Sequence, residues 1–321
     1  MRVEERFTDI AAIVVCHNSP ATLAATVRAL QNAGLSARAI LVVDNSDQAE
    51  PAAAVRASAD VEFTLLHTPN RGYGAAVNDG LAYLSRQGPA REFTVVSTHE
   101  SIAAPDAVSL LRSALLADSC IAVAGPTLIN AGSRDESIWS TGGMLTKVLK
   151  RPQHHRRDFP AETNGAMNGA MKSAIDRDWL DGAFALYRTP LLSGFGIDET
   201  FFLYFEETDL HTRLGGAGFR IVWVPAAQVS QRSSGIPPRL LGRNLFLFHA
   251  RHFSRTRGRL AVGYEAARAL ARAALTSRGR WSAAGEILRG WIQGEAIVRG
   301  TDFTCPGSAK IPDSPVWNSN G

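Results

Sequence analysis

Short apolar runs alternate with helical patterns over residues 10–124. Helical spacing of apolar residues follows Pro20, where Leu23, Val27 and Leu30 share one face, and again follows Gly74. The runs are short and rich in β-branched residues, which is typical of buried strands, and they cover residues 10–15, 40–43, 61–66, 93–97 and 121–124. Strands that alternate with helices in this way predict an α/β fold, with a mainly parallel sheet and helices on both faces.

Polar side chains follow several of these predicted strands. Asn18 comes after the first strand, Asp44 ends the second, and the Thr-His-Glu sequence of residues 98–100 follows the fourth. The carboxyl ends of parallel strands meet at one edge of a sheet, where α/β proteins bind ligands, so we expect these residues to line one crevice. The Gly-rich turn at residues 70–74 is by itself neither a dinucleotide fingerprint nor a P-loop.

The pattern changes after the fifth predicted strand. Residues 130–177 differ in character from the preceding part, and within them residues 150–173 are polar, basic and Gly-rich, which predicts a long mobile loop. We interpret its paired His154 and His155 as solvated loop residues rather than a metal site, because no spaced acidic or sulfur partners accompany them. Strand-like runs return at residues 178–187 and 219–224.

From Pro237 onward the chain is helical in pattern and rich in arginine. We therefore predict three parts: an α/β domain with the expected ligand crevice over residues 1–235, an Arg-rich helical segment over 236–300 and a tail over 301–321. The arginines of the helical segment either face solvent on ordinary packing helices or dock on an anionic membrane surface.

Composition narrows the class of protein. The 321 residues are 45% hydrophobic and 20% charged, as in a globular protein, and a net charge of +4 is too small to indicate nucleic-acid binding. Three separated cysteines favour neither disulfides nor zinc. With neither a signal-peptide pattern nor an apolar run of spanning length, we expect a cytoplasmic protein that contacts the inner face of the membrane at most peripherally. Whether it forms a homo-oligomer stays open.

Separated motifs in a fixed order carry a specific resemblance. VVDNSD (42–47), NRGYGAAVNDG (70–80) and FFLYFEETDL (201–210), followed by Arg213 and the VPAA sequence that begins at Val224, closely resemble glycosyltransferases of family 2 with a GT-A fold. The resemblance covers about residues 9–235 and is greatest to bacterial rhamnosyltransferase-type members. Less specifically, Arg243 and Asn244 resemble the segment that follows the catalytic domain in those relatives.

The resemblance implies a role for individual residues. Glu207 falls at the position of the catalytic base, and Trp179, Asp181 and Glu206 lie on the acceptor side, although Trp179 fits a core position equally well. The residues that would meet the nucleotide sugar are Asn18, Asp44, Asn70, Gly72, Asn78, Thr98, His99, Gly182 and Ala183.

The sequence departs from the family pattern at three positions. Glu100 replaces the aspartate that usually holds Mg²⁺ or Mn²⁺, Glu207 replaces the aspartate of the usual Glu-Asp pair, and Gln231 replaces a histidine that can complete the metal shell. Each Asp-to-Glu change moves the carboxylate by one C–C bond, about 1.5 Å. We expect a divalent metal at Glu100; the alternative is a metal-free site in which His99, Arg71 or Arg232 neutralises the diphosphate.

Three functions are compatible with a nucleotide-binding α/β sheet. We expect an inverting glycosyltransferase that moves a hexose or deoxyhexose from a nucleoside-diphosphate sugar to a cell-envelope glycan, a lipid-linked acceptor or a small molecule. A non-catalytic glycan- or partner-binding protein on a degenerate scaffold is the alternative. A nucleotidyltransferase is disfavoured, because HNSPAT follows the first strand where a Gly-rich, basic phosphate loop would be needed.

Overall fold

The computed structural model describes residues 6–18, 20–47, 61–130, 137–155, 174–231, 235–275 and 281–300. Arg232, most of the predicted loop after residue 155 and the predicted tail lie outside these residues. None of the described helices is both long enough and apolar enough to cross a membrane.

A ten-stranded sheet forms the centre of the described structure. The strands of the chain are β1 (Ile10–Cys16), β2 (Ile40–Asp44), β3 (Thr64–His67), β4 (Phe93–Thr98), β5 (Ile102–Ala103), β6 (Ile121–Asn130), β7 (Ile138–Ser140), β8 (Gly143–Leu145), β9 (Pro152–His154), β10 (Ile175–Asp176), β11 (Phe184–Arg188) and β12 (Arg220–Gln231). The main order across the sheet is β10-β12-β6-β11-β4-β1-β2-β3; β5 pairs with β12, and β7 pairs with β6.

The first four strands of the chain, β1 to β4, form a parallel part of the sheet. Strand β1 pairs in parallel with β2 and β4, and β2 pairs in parallel with β3, so their carboxyl ends share one edge. Strand β11 runs antiparallel between β4 and β6. The α/β class is therefore confirmed. The run at residues 178–187 is shorter than predicted as a strand, because the chain turns at Gly182 and Ala183 before β11 begins.

Helices cover both faces of the sheet, as the pattern predicts. They are α1 (Pro20–Asn32), α2 (Tyr73–Arg86), α3 (Ala107–Ala117), α4 (Thr189–Phe195), α5 (Glu206–Gly216), α6 (Pro238–His252), α7 (Arg255–Leu275) and α8 (Ser282–Gly300). Alternate residues of a strand point to opposite faces. Thus Val14 packs in the core beneath α1 and α3, whereas Ile13 packs in the core beneath α2, α4 and α5.

A third core joins the C-terminal helices to the chain just before α5. Phe201 and Phe205 pack there with Phe246 of α6, Val262 of α7 and Ile287 of α8. Because this core is shared, helices α6 to α8 contact the segment that leads into Glu206 and Glu207. The domain division at residue 235 stays a prediction.

Part of the predicted mobile loop is ordered structure. Strands β8 and β9 form an antiparallel hairpin, in which Gly143 pairs with His154, and Gly143 also bridges to Trp179. His154 is therefore a strand residue and not a solvated loop residue. Two adjacent glycines, Gly142 and Gly143, allow the close approach, since a Cβ at Gly143 would lie 2.3 Å from the Trp179 ring.

Candidate active site

The ends of β1 and β2 place polar groups at one edge of the sheet. Asp44 is fully buried; its Oδ1 accepts a hydrogen bond from the Ser46 backbone N–H at 3.0 Å. Its Oδ2 is buried without a hydrogen-bond partner among the described residues, although His67 lies 4.0 Å away. Asn18 sits opposite with a positive φ of 48°, and its backbone N–H donates to the Ser46 hydroxyl. A buried carboxylate oxygen at a strand end is available to a ligand's N–H or O–H group.

The turn before α2 lies very close to the segment that precedes α5. Gly72 has a φ of +104°, and a Cβ there would lie 2.2 Å from the Phe202 carbonyl oxygen. The next residue, Tyr73, donates its backbone N–H to that same carbonyl at 2.7 Å. Asn70 accepts from the Gly72 N–H at 3.2 Å and so closes the turn. Glycine is needed here for both its conformation and its lack of a side chain.

Two polar residues of this region are engaged in other contacts. The Asn78 amide pairs with both backbone groups of Ile197, at 2.8 and 3.1 Å, and so ties α2 to the segment before Glu199. Arg71 donates both of its terminal nitrogens to carboxylates, those of Asp79 and Glu199. The nucleotide contact expected of Asn78 stays a prediction, and Arg71 would have to leave two ion pairs to meet a diphosphate.

The end of β4 brings together the residues expected at a metal. The Gln231 side-chain N–H₂ donates to Glu100 Oε1 at 3.1 Å and to Thr98 Oγ1 at 3.2 Å. His99 donates its backbone N–H to Val15, and burial lowers the pKa of its imidazole. A neutral His99 can bind a phosphate oxygen by a hydrogen bond but not by charge.

The oxygen donors at Glu100 suit a hard divalent cation. No group of three or more His, Cys, Asp or Glu side chains that could hold a metal occurs in the described part of the chain. Mg²⁺, however, commonly binds through one or two carboxylates together with substrate phosphates. The Gln231 amide oxygen is buried and lacks a hydrogen-bond partner within the described ranges, so it is a second oxygen available for a ligand. The donor set therefore fits a cation that is completed by the diphosphate.

Glu207 lies directly beside the small residues that precede β11. A Cβ on Gly182 would lie 3.6 Å from Glu207 Cγ, in ordinary contact. The Gly182 carbonyl accepts from the Tyr73 hydroxyl at 2.8 Å, and the Ala183 carbonyl accepts from the Thr98 backbone N–H at 3.0 Å. These contacts join the end of β4, the turn before β11 and the start of α5 into one crevice.

Three carboxylates, those of Asp181, Glu206 and Glu207, lie close together at this point. Burial raises the pKa of Glu207 well above its ordinary value, and the charges of Glu206 and Asp181 raise it further. Burial also raises the pKa values of Glu206 and Asp181. Glu206 Oε2 is buried and has no hydrogen-bond partner among the residues that the structure describes. The first turn of a helix favours negative charge, which partly offsets this cost.

Asp181 is hydrogen-bonded to Ser140, at the end of β7, and Ser140 is in turn close to His154, at the end of β9. The Ser140 hydroxyl donates to Asp181 Oδ2 and lies 3.1 Å from His154 Nδ1. The His154 ring lies 5.0 Å from the ring of Trp179, which is buried against Gly143. Trp179 is thus a buried residue that packs against Gly143 and His154. Direct contact of its ring with an acceptor stays a prediction.

A buried histidine fixes the chain before the carboxylates. The Leu180 backbone N–H donates to His211 Nδ1 at 3.1 Å, so the ring proton resides on Nε2 and is donated to the Tyr187 hydroxyl at 3.0 Å. Burial lowers the pKa of His211 to about 3, which keeps the ring neutral.

The segment before Glu206 has an uncommon backbone conformation. Phe202, Tyr204 and Phe205 all have positive φ values, of 63°, 67° and 73°, and such conformations each cost of order 1–3 kcal/mol in non-glycine residues. The fully buried Asn244 of α6 holds this segment, since its N–H₂ donates to the carbonyls of Leu203 and Tyr204 at 2.8 Å each.

Neighbouring cations of α6 reinforce the same contact. Arg243 donates to the carbonyls of Thr200 and Phe201.

Asp209, in the first turn of α5, accepts from Arg213 at 2.8 Å, as the i, i+4 spacing indicates, and from His252 at 2.8 Å. Burial would raise the pKa of Asp209, but these partners hold it below its ordinary value. The sequence indicates the pair of Asp209 and Arg213 but not the contacts with α6, because those join residues some 40 positions apart in the chain.

The matching family model and the matching curated relatives describe the same kind of protein. The model of the family described as Glycosyltransferase like family 2 matches residues 8–282. Two proteins from strains of Mycobacterium tuberculosis, each named N-acetylglucosaminyl-diphospho-decaprenol L-rhamnosyltransferase, are 28% identical over 249 residues, which cover 69% of this chain and 76% of each relative.

Solved structures share the fold. Mannosyltransferase PcManGT from Pyrobaculum calidifontis, in complex with GDP-Man and Mn²⁺, superposes with a TM-score of 0.54 at 15% identity and covers 91% of this chain and 88% of that one. GalNAc-T7 with UDP, GalNAc and Mn²⁺ gives a TM-score of 0.55 at 15% identity over 77% of this chain, which spans about half (51%) of that structure. The GT-A fold implied by the sequence resemblance is confirmed.

Proposed function

The chain belongs to glycosyltransferase family 2, because the family model matches most of its length, and we propose that it is an inverting enzyme with Glu207 as the base. It transfers a hexose or deoxyhexose, rhamnose being the first candidate, from a nucleoside-diphosphate sugar to an acceptor hydroxyl. The named activity of its Mycobacterium tuberculosis relatives supports the deoxyhexose.

The observation that carries this proposal is the position of Glu207. A Cβ at Gly182 would lie 3.6 Å from Glu207 Cγ, and the next residue, Ala183, is hydrogen-bonded to the end of β4. Small residues leave room beside the Glu207 carboxylate, and in the proposed reaction a sugar binds there and an acceptor hydroxyl attacks its far face. Inversion needs a single base that takes the hydroxyl proton as the new bond forms, and one carboxylate suffices.

The raised pKa of Glu207 suits this proton transfer. Burial and the neighbouring carboxylates make Glu207 a stronger base than an exposed glutamate. A base is most effective when its pKa is close to the working pH. The negative charges of Glu206 and Asp181 both raise the pKa of Glu207 and so increase its basicity.

Glu100 and Gln231 would hold a divalent cation together with the diphosphate. Such a cation supplies Lewis-acid neutralisation of the negative charge on the leaving nucleoside diphosphate. The protein's own contribution is to place Glu100 beside the phosphates, while Asp44 Oδ2 and Asn18 bind the nucleoside. His99 adds a neutral hydrogen-bonding group on the same side.

For the acceptor we favour a lipid-linked glycan on the cytoplasmic side of the membrane. The relatives are named for a diphospho-decaprenol acceptor. The three cysteines are far apart in the sequence and form no CxxC pair, which fits a reducing compartment. Asp181, with Ser140 and His154 behind it, would contact acceptor hydroxyl groups, and the enzyme would meet the membrane peripherally.

A panel of UDP-, dTDP- and GDP-sugars tests the proposal. We expect one nucleotide class to raise the melting temperature and to undergo slow hydrolysis, with activity that depends on Mn²⁺ or Mg²⁺ and is lost with chelator. NMR coupling constants of the glycosylated product should show inversion at the anomeric carbon. No response to any nucleotide sugar would contradict the proposal, and a retained configuration would contradict the role of Glu207 as sole base.

A further inference from the structure

Charge is distributed very unevenly along this chain. Residues 235–300 contain 12 arginines and three glutamates, with neither lysine nor aspartate, whereas the rest of the chain carries 22 basic and 27 acidic residues. The segment of α6 to α8 therefore accounts for more than the whole net charge of +4. A strongly cationic region on an otherwise acidic protein favours an anionic partner at that region.

The same segment exposes an unusual amount of apolar surface. Twelve large hydrophobic side chains of the described residues are exposed, and seven of them lie between residues 260 and 292. We name these seven the apolar face; they are Leu260, Tyr264, Leu270, Leu275, Trp281, Leu288 and Ile292. Leu275, Ile292 and Trp281 are the most exposed of them, at 85%, 67% and 63%. Seven exposed large apolar side chains, on α7, on α8 and at the turn residue before α8, are more than scattered surface residues and favour an interaction site.

Helical geometry directs the apolar face away from the protein. Val262 of α7 and Ile287 of α8 are buried against α6. Leu260, Tyr264 and Ala267 recur at helical spacing on the exposed side of α7, and Leu288, Ile292 and Ala296 do so on α8.

Close backbone contacts fix this arrangement. A Cβ at Gly290 would lie 1.9 Å from the Arg239 carbonyl oxygen, and one at Gly242 would lie 2.0 Å from that of Ile287. The backbones of α6 and α8 are therefore in direct contact at these two glycines. Rotation of α8 to bury its exposed side would place larger residues at this contact.

We propose that the apolar face docks this protein on an anionic lipid surface. The proposal rests on the proposed function, because a lipid-linked acceptor would be reached from such a surface. Exposed arginines adjoin the face at Arg255, Arg259, Arg289 and Arg299, and their long side chains can reach headgroups while the apolar residues enter the interface. Tryptophan and tyrosine, present here as Trp281 and Tyr264, are typical of membrane–water interfaces.

Charge decides between a lipid surface and a second copy of this chain. Arg259 and Arg299 share the single carboxylate of Glu295, and Arg289 pairs with Glu286, so the acidic groups do not balance the arginines. Two copies that met through this region would bring two cationic segments together, which costs free energy. Anionic headgroups would instead be attracted to it.

Docking would act close to the catalytic segment. Helix α6, on which α7 and α8 pack, carries Asn244, whose amide holds the carbonyls of Leu203 and Tyr204 just before Glu206. A surface bound by α7 and α8 therefore lies on the helical unit that supports the catalytic carboxylates.

Vesicle sedimentation of the full chain tests the inference. We expect binding to phosphatidylcholine vesicles that contain phosphatidylglycerol, weaker binding to pure phosphatidylcholine, and weakening by salt. The double variant Leu288→Glu, Ile292→Glu should lower the affinity at least tenfold. The matched control is Leu116→Glu, Val148→Glu, since both are exposed apolar residues outside the segment, and it should bind like the unmodified protein.

Further measurements separate this inference from the proposed function. Donor hydrolysis in solution and the melting temperature should be the same for both double variants and the unmodified protein. If anionic vesicles are not bound, or if both double variants bind equally well, docking through the apolar face is refuted while hydrolysis still reports on the transferase. Sedimentation velocity that shows a dimer, lost only in Leu288→Glu, Ile292→Glu and without vesicle binding, would assign the face to a second copy instead.

Discussion

The side-chain nitrogen of Asn244 lies 2.8 Å from the carbonyl oxygen of Tyr204. This contact joins the C-terminal helix α6 to a segment of three positive-φ residues that ends immediately before Glu206. The segment that leads into Glu206 and Glu207 is thus held by a residue some 40 positions further along the chain. Helix α6 therefore supports the segment before α5 as well as packing with α7 and α8.

Replacement of Asn244 with alanine should slow turnover and lower stability. Loss of the amide leaves buried carbonyls without a partner, which costs about 1–3 kcal/mol of unfolding free energy. Displacement of Glu207 should lower kcat by about 10- to 100-fold, while the KM for the donor changes little because the nucleotide binds elsewhere. Steady-state kinetics and urea unfolding measure the two effects.

The matched control is Asn32→Ala, at the exposed end of α1. It should leave both kcat and stability unchanged. An Asn244→Ala enzyme that is less stable but has the kcat of the unmodified protein would show that the amide supports folding alone.

Replacement of Glu206 with glutamine should shift the pH profile. The charge of Glu206 is one of the causes that raise the pKa of Glu207. Without it the pKa of Glu207 falls, so the acidic limb of kcat/KM against pH should move to lower pH. An unchanged limb would mean that Glu206 does not act on the base.

The same variant should also be more stable than the unmodified protein at alkaline pH. Burial raises the folded-state pKa of Glu206, so its favourable contribution is present at low pH and is lost as pH rises through that pKa. A neutral glutamine avoids this loss. Urea unfolding at about pH 5 and about pH 8 should show a gain only at the higher pH.

Removal of the Glu100 carboxylate should abolish metal-dependent turnover. In Glu100→Ala, only Gln231 remains to hold the cation, and activity in saturating Mn²⁺ should fall by at least 100-fold. Isothermal titration with Mn²⁺ and the nucleoside diphosphate should show a matching loss of metal affinity. Full activity of the variant both with metal and with chelator would identify Glu100 as an ordinary loop residue.

A side chain at Gly72 should disrupt the site. In Gly72→Ala the new Cβ would meet the Phe202 carbonyl at 2.2 Å, in a backbone conformation that alanine disfavours. We expect a lower melting temperature and weaker donor binding. Gly88→Ala is the control, because its φ is +149° but nothing lies within 4 Å of the added Cβ. Equal donor affinity in the two variants would contradict the close approach.

The sequence predicted the strand-end residues because their placement follows from topology. Once β1, β2 and β4 are parallel neighbours, Asn18, Asp44 and Glu100 must share one edge. The ion pair between Asp209 and Arg213 on helix α5 could be predicted equally well, since the two residues lie one turn apart. Local periodicity and the rules of parallel sheets are sufficient for these features.

Features that depend on distant contacts could not be predicted in the same way. Strand β12 continues through Pro225 to Gln231, with a register shift against β6 that no apolar pattern indicates. Nothing in the sequence of Phe202, Tyr204 and Phe205 signals a positive φ, because the conformation is imposed by Asn244 and by the Gly72 turn. His154 was misinterpreted because its partners, Ser140 and Trp179, come from separate parts of the chain.

The most direct test of the account compares the unmodified protein with Glu207→Gln in donor turnover. Release of nucleoside diphosphate is measured with the responsive sugar nucleotide and acceptor, and nucleotide affinity is measured by calorimetry. We predict that Glu207→Gln binds the nucleotide normally and loses at least 100-fold in kcat, the lower range for a general base. Transfer at the rate of the unmodified protein would contradict the assignment of Glu207 as the base and favour a binding role for this scaffold.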